Sequence, residues 1–260
     1  MKLSILMAVK NEGINLAVML KILDAVVEVP HEILVVYDSS DDDSLPVVRS
    51  LQDRCPAVRL VHNTRDPGVT NALLAGAAEA SGEYLLIFAV DDTGPVLAID
   101  QMLALMDRGC DLVSCTRYAR GGRRLGGSII GGLLSRAANR AFRLATRTPL
   151  TDATTGIKMM RREVFEQISL EPRSAGWSVA FELAIKAQLA GLRVGEVPII
   201  SIDRLFGGRS TFRLVPWLAG YLKWFLWGVR EFRRVRPDRP PLMTYEAAAD
   251  PLRELEHVSG

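Results

Sequence analysis

The 260-residue sequence predicts an α/β protein with a mostly parallel sheet and helices on both of its faces. Three observations predict it. Short, almost uninterrupted apolar runs recur through the first half, as strands buried on both faces require. Stretches of helical character, about 10–15 residues long, separate them. Three polar clusters, Lys10-Asn11-Glu12, Asp38-Ser39-Ser40 and Asp91-Asp92-Thr93, each follow an apolar run directly. In a parallel sheet such clusters share the rim at the carboxyl ends of the strands, where ligands bind.

Taken in order, Leu3 to Val9 is the first strand, and Asn15 caps an amphipathic stretch to Val29. Glu32 to Tyr37 is the second strand, Ser44 to Asp53 a helix, and Val58 to His62 the third strand. Gly68 opens an alanine-rich helix to Ala80, Tyr84 to Val90 is the fourth strand, Val96 to Asp107 a helix, and Asp111 to Thr116 the fifth strand. The second half is less regular. Gly121 to Gly132, rich in glycine and arginine, reads as a loop entering a helix that runs to Ala145. Thr151 to Met160 is a turn and strand, Val179 to Ala190 a helix, Arg193 to Asp203 a strand, and Phe212 to Phe232 a long apolar, aromatic helix. The run PDRPP after Arg236 marks a linker, and the last twenty residues read as at most a weak appended helix. The expected division is a domain over 1–211, a helix over 212–235, and a linker and tail over 236–260.

Hydrophobic residues at 48 % and charged residues at 24 % are ordinary globular values and exclude wholesale disorder. A net charge of +2 offers nucleic acid no bulk attraction. The charge is uneven, however: acids cluster at Asp38 to Asp43, arginines at Arg117 to Arg147 and Arg230 to Arg239. That asymmetry suits a site pairing a cation with a phosphate. The three cysteines, Cys55, Cys110 and Cys115, lack metal-ligand spacing and read as buried small hydrophobes in a reducing compartment. Lys10-Asn11-Glu12 interrupts the opening apolar run too early for a signal peptide. No run reaches the roughly 18 apolar residues of a membrane span. The expectation is a cytoplasmic body.

Asp91-Asp92 at a strand end is the sharpest chemical signal. A hard divalent cation, Mg²⁺ or Mn²⁺, takes oxygen ligands, commonly one or two carboxylates plus substrate phosphates. Helix capping is the alternative, because Asp92 or Thr93 stands just before the helix that starts near Pro95. The acidic run after Tyr37 has the same two readings, Asx and Ser turns or a base contact at Asp38. Asn11-Glu12 either holds a ribose or caps the first helix.

Six segments in order carry a resemblance: MAVKNEGINL, VVYDSSDDDS, GVTNALLAGAAEASGEYLLIFAVDD, DLVSCTRYARGG, TDATTGIKMMRREVF and FELAIKAQLAGLRVGEVPIISIDRLFGGRST. Together they resemble the family-two glycosyltransferases with a GT-A fold, within them the dolichol- and polyprenyl-phosphate sugar transferases. The resemblance implies a first nucleotide-binding turn over Ala8 to Glu12, Lys10 included, with Glu12 near base or ribose. It implies that Asp38 contacts the base, with Ser40 in the same turn, and that Gly68 and Gly76 let loop and helix approach the nucleotide. Asp91, and beside it Asp92, becomes the metal and diphosphate site. Arg117 and Arg204 become phosphate contacts, a task the forked guanidinium suits. Ser135, Arg136 and Ser210 complete the substrate contacts. The sequence departs from the family pattern at four places. Ala89 replaces the first acid of Asp-x-Asp, and Tyr37 the first acid of Asp-Asp-Gly-Ser. Ala8 and Lys10 stand where Pro and Tyr are usual. Gly131 stands where these enzymes commonly carry a basic residue one turn before the Ser-Arg pair.

The implied reaction is inverting transfer from a nucleoside-diphosphate sugar to a polyprenyl phosphate, which is already anionic and needs no strong base. A hydroxyl acceptor, on a polysaccharide or glycolipid, would need one; Asp152 and Glu182 are the candidates. A catalytically silent nucleotide-binding GT-A domain is the third reading, motivated by Ala89. The Phe212 to Phe232 helix holds three of the four tryptophans and is followed by Arg233, Arg234 and Arg236. It reads as an interfacial helix laid on lipid headgroups, with a core helix as the alternative. Ser128 to Leu134 offers a second apolar surface beside Arg123, Arg136 and Arg140, so the protein is expected as a peripheral one on the cytoplasmic face of the membrane.

Overall fold

A computed structural model describes residues 1–126, 128–202 and 214–245, with side chains of the last segment from residue 218 onward. Strands β1 (Leu3–Ala8), β2 (His31–Tyr37), β3 (Val58–His62), β4 (Tyr84–Ile87), β5 (Leu112–Thr116), β7 (Lys158–Arg161), β8 (Val194–Pro198) and β10 (Met243–Thr244) form one sheet in the order β10-β8-β5-β7-β4-β1-β2-β3. Strands β6 (Arg123–Leu125) and β9 (Ile200–Ile202) pair apart from it. Among the described strands only β7 runs antiparallel within the large sheet, inserted between β4 and β5.

Alternation along the strands builds two cores. Leu3, Ile5 and Met7 of β1 and Ile33 and Val35 of β2 face one cluster, which includes Leu16, Met19, Leu20 and Leu23 of helix α1 (Gly13–Val26) and Met102 and Met106 of α4 (Ile99–Asp107). Leu6, Leu34 and Val36 face the opposite cluster, with Ala72 and Leu73 of α3 (Val69–Glu79). A period of two in a strand sends neighbours to opposite faces, so helices on both faces are satisfied by one sequence. The expected α/β architecture is the observed one.

Some boundaries differ from the expectation. The helix expected from Val96 begins as a 3₁₀ turn, Gly94–Ala98, before α4. The glycine- and arginine-rich stretch contains β6 and leads into α5 (Ile129–Thr146). A short α6 (Arg162–Gln167) follows β7, and α7 (Ser178–Leu189) is almost wholly buried. Within the segment expected as linker and tail, Met243 and Thr244 pair parallel with Gly195 and Glu196 at the sheet edge.

Helix α8 (Leu214–Val235) corrects the expectation of an outward aromatic face. Trp224 and Phe232 are buried, and Gly228 between them meets Phe142 of α5 and Ile185 of α7 so closely that a Cβ would stand 2.9 Å from the Phe142 ring. Phe142 packs edge-on against Phe181, Phe225 and Phe232. The spacing of four residues puts these groups on one stripe. The outward stripe is aliphatic: Leu218, Leu222 and Leu226 are 53 %, 54 % and 60 % exposed.

Candidate active site

The parallel strands bring the three polar clusters to one rim, and the structure shows what holds each there. After β1 the chain turns through Asn11 in a left-handed conformation (φ 55°) into α1. The first amides of α1 are capped from outside the helix. Asp42 accepts from the Asn11 N–H with both oxygens at 3.1 Å, Ser44 Oγ accepts from the Glu12 N–H at 3.1 Å, and Asp43 Oδ1 accepts from the Gly13 N–H at 2.9 Å. A Cβ on Gly13 would lie 2.7 Å from the Asp43 carbonyl oxygen, so this contact needs glycine. Much of the acidic run therefore serves as a cap in trans. Asn15, expected as the cap, sits inside the first turn and donates to Glu12 Oε2 at 2.8 Å.

Asp38 stands at the end of β2, half-buried, and binds the next wall of the rim. Its oxygens accept from Asn63 Nδ2 at 2.7 Å and from the Gly68 N–H at 3.0 Å. Gly68 has φ 139°, a conformation that favours glycine, and precedes α3. Gly76 makes its close approach to the sheet instead: a Cβ there would stand 2.9 Å from Val36. Ala8 is half-buried at the end of β1, and Lys10 and Ser40 are exposed.

Asp91 and Asp92 lie beyond β4. Asp91 is half-buried. Asp92 is buried, accepts from Ser201 Oγ at 2.6 Å and from the Ile202 N–H at 2.8 Å, and so clasps β9. Thr93, at the N-cap of the 3₁₀ turn that follows, makes no side-chain cap bond. Gly94 completes the clasp: a Cβ on it would lie 1.7 Å from the Ile200 carbonyl oxygen. The chain then enters residues 203–213, so Arg204 and Ser210 lie outside the described residues.

The other end of the rim is a buried polar network. Arg117, just past β5, forks onto the fully buried Asp152, Nε to Oδ2 at 2.7 Å and Nη2 to Oδ1 at 3.0 Å. Burial alone would raise the Asp152 carboxyl; the guanidinium overrides this and the net direction is down. Thr154 Oγ1 accepts from Arg117 Nη2 at 3.3 Å and meets Ser135 Oγ at 3.2 Å, and Asn139 Nδ2 donates to Thr154 Oγ1 at 2.8 Å. Arg117 and Arg136 also flank the Tyr118 ring, at 5.1 and 5.4 Å from its centroid. Arg117 and the adjacent pair Ser135-Arg136 are thus brought together through Tyr118 and Thr154, with Asn139 joining them.

Two buried charges complete this end. Lys158 Nζ donates to the Thr155 carbonyl at 2.7 Å and to Ser114 Oγ at 2.9 Å, and burial lowers its pKa to about 8. Glu196 of β8 is 1 % exposed, and burial raises its pKa to about 7. Each interrupts an apolar run, a signal in the sequence that these charges have partners. Glu182, the second base candidate, is buried on α7 with its oxygens engaged by the Glu171 N–H at 2.7 Å, Ser174 Oγ at 2.9 Å and Lys186 Nζ at 2.6 Å.

A rim of this kind on a mostly parallel sheet suits a phosphorylated ligand, and residues 4–169 match the glycosyl transferase family 2. The chain belongs to that family. It is 27 % identical over 232 residues to the dolichol-phosphate mannosyltransferase of Pyrococcus furiosus, an alignment covering 86 % of this chain and 64 % of that protein. It is 31 % identical over 187 residues to the polyprenol monophosphomannose synthase of Mycolicibacterium smegmatis, covering 67 % of this chain and 68 % of that one. The chain thus spans just under two thirds of the Pyrococcus protein's length. Among solved structures, glucosyl-3-phosphoglycerate synthase of Mycobacterium tuberculosis with phosphoglyceric acid superposes with a TM-score of 0.68 at 18 % identity, over 88 % of this chain and 80 % of that one. The same enzyme with Mn²⁺, UDP-glucose and phosphoglyceric acid gives 0.67 at 18 % identity, over the same 88 % and 80 %. The shared fold is the GT-A fold.

Proposed function

We propose that this chain transfers a sugar, with inversion, from a nucleoside diphosphate to a polyprenyl phosphate at the surface of a membrane. The observation that carries this reading is the acceptor end of the rim. Arg117, Ser135, Arg136 and Tyr118 form a cationic, polar cluster, and on α5 just before Ser135 the apolar Ile129, Ile130, Leu133 and Leu134 are 82 %, 69 %, 64 % and 48 % exposed. A phosphate with a long apolar tail has that pair of demands. The two named relatives, which act on dolichol or polyprenol phosphate by name, support it.

A phosphate acceptor also fits the state of the carboxylates. Asp152 is locked to Arg117 and Glu182 to Lys186 and a loop amide, so neither stands ready to take a hydroxyl proton. An anionic acceptor asks for none.

At the donor end, a divalent cation is proposed on Asp91, with Asp92 beside it. Among the described residues no three His, Cys, Asp or Glu side chains group as a metal cluster. A sparse carboxylate set suits a hard ion that draws its remaining ligands from diphosphate and water. The Mycobacterium tuberculosis enzyme was crystallised with Mn²⁺, and with Mg²⁺ and UDP. Such an ion, when bound, neutralises charge on the leaving diphosphate. The chain's own residues do the rest. Lys10 and Glu12 meet the nucleoside on the first turn, and Asp38 holds the Gly68 turn as a wall of the base pocket, with Ser40 at its lip. Arg204 and Ser210 are assigned to the diphosphate, and Arg117, Ser135 and Arg136 to the acceptor phosphate.

Among the described residues no helix is long and apolar enough to cross a membrane. Peripheral attachment is proposed through the exposed residues of α5 and the Leu218-Leu222-Leu226 stripe of α8, on the cytoplasmic face. The test incubates the purified chain with labelled UDP- and GDP-sugars, Mg²⁺ or Mn²⁺, and a short polyprenyl phosphate. Label entering the lipid phase is expected. Label found only on a hydroxyl acceptor, or nucleotide binding without turnover, overturns the reading.

A further inference from the structure

Glu196 is the one buried carboxylate of the acceptor end that the proposed chemistry leaves unused, and its hydrogen bonds have a direction. Oε1 accepts from the N–H groups of Thr151, at 2.6 Å, and Asp152, at 3.1 Å; Oε2 accepts from Thr151 Oγ1 at 2.9 Å. The Thr151 hydroxyl has one proton, and it goes to Glu196. In the 2.6 Å contact between Thr116 Oγ1 and Thr151 Oγ1 the donor is therefore Thr116. Thr116 Oγ1 in turn accepts from the N–H groups of Tyr118, at 3.1 Å, and Ala119, at 3.3 Å.

Every proton in this chain points toward Glu196. A proton on Oε1 would displace a backbone amide. A proton on Oε2 would turn the Thr151 hydrogen away from Glu196. The carboxylate satisfies all these donors at once. The chain reaches the Arg117–Asp152 pair from both sides, through the Asp152 amide and through the turn Thr116–Ala119 that carries Arg117 and Tyr118.

We propose that Glu196, as a carboxylate, is the positioning residue of the acceptor end: it clamps the Thr151-Asp152 turn and the Thr116–Ala119 turn together and so fixes the Arg117 guanidinium for an acceptor phosphate. This rests on the transferase reading above.

The clamp sits among charges. Asp152 faces it from the turn before β7 and Lys158 from β7. Burial raises its pKa from 4.5 to about 7, so the folded chain holds this proton more tightly than the unfolded one. Its contribution to stability is full below about 4.5 and is lost as pH rises through about 7. The ionised clamp is kept at a cost to folding, as expected of a group that serves binding.

The test compares wild type with Glu196→Gln in the full chain. With a short polyprenyl phosphate, Glu196→Gln is expected to raise the acceptor KM about tenfold, the loss of roughly one charge-assisted hydrogen bond, while the donor KM stays put. The acceptor's own phosphate titrates in the same range, so the readout is the difference between the two proteins. Wild-type kcat/KM for acceptor should fall through an additional one-proton step near 7 that the variant lacks. An unchanged acceptor KM, or the same pH profile in both, overturns the proposal. Amide hydrogen exchange in wild type decides it if the variant does not fold. Protection of the Thr151 and Asp152 amides, corrected for intrinsic rates, should drop between pH 8 and pH 6, bracketing that titration; flat protection sinks the clamp. A wild type that moves no sugar to lipid defeats the transferase reading alone, and the exchange measurement still decides Glu196.

Discussion

The two ends of the rim hold their charges by different means. At the donor end, Asp38, Asp42 and Asp43 lie where strands hand over to helices, and their oxygens accept mainly from backbone amides. At the proposed acceptor end, the half-buried Arg117 and the buried Asp152, Lys158 and Glu196 depend on one another. Caps of the first kind are local, and each costs little to lose. A buried network of the second kind is collective, because removing one member strands the others in a medium of low polarity. The first is thus a frame of local caps; the second is a preorganised network whose geometry is fixed by its own ion pair and hydrogen bonds.

The largest effect should come from breaking the acceptor end. Asp152→Ala leaves the Arg117 guanidinium buried without its carboxylate, and should destabilise the fold by about 3–5 kcal/mol in a chemical denaturation measurement. A loss below about 1 kcal/mol would mean that Arg117 finds water or another anion, and the comparison between the ends would fail. Next comes Asp91→Ala at the donor end. It should lower metal-dependent transfer by roughly 10²–10³-fold, the scale of one lost group stabilising developing charge, while the melting temperature stays near wild type. A variant that turns over normally removes Asp91 from the metal site; one that also unfolds shows the donor end to be as collective as the acceptor end.

How much of this was legible depended on the range of the forces involved. The strands and the rim clusters could be read, because burial on both faces demands unbroken apolar runs and parallel strands put their following turns on one side. The insertion of β7 between β4 and β5 could not, since Leu86 meeting Met159 and Val113 meeting Met159 are pairings distant in sequence. Lys158 and Glu196 were visible as single charges inside apolar runs, yet nothing in spacing alone says that both answer to Asp152. The α8 aromatics are legible as a group, but their facing is not. The phase of Trp224, Gly228 and Phe232, four residues apart, picks the buried stripe and leaves the leucines outside. Asp91 and Asp92 carry two readings in the sequence, and the bonds of Asp92 to Ser201 and Ile202 join positions more than a hundred residues apart that no local pattern links.

The smallest expected effect tests the donor end on its own terms. Asp42 is buried at 6 % exposure, and its carboxylate accepts from the Asn11 amide with both oxygens and from the Ser44 amide at 2.9 Å. Asp41, its neighbour, is exposed. If the acidic run is a set of caps, Asp42→Ala should cost about 1–2 kcal/mol and Asp41→Ala within about 0.5 kcal/mol of nothing, by the same denaturation measurement. Both variants should bind nucleoside diphosphate as wild type does, because neither carboxylate is assigned to the ligand. Equal destabilisation by the two would show a general electrostatic effect of the run, and a loss of nucleotide affinity in Asp42→Ala without loss of stability would turn the cap into a contact. The Asn11 turn makes the first outcome the expected one: its left-handed backbone at φ 55° turns the Asn11 amide onto Asp42, which accepts it with both oxygens.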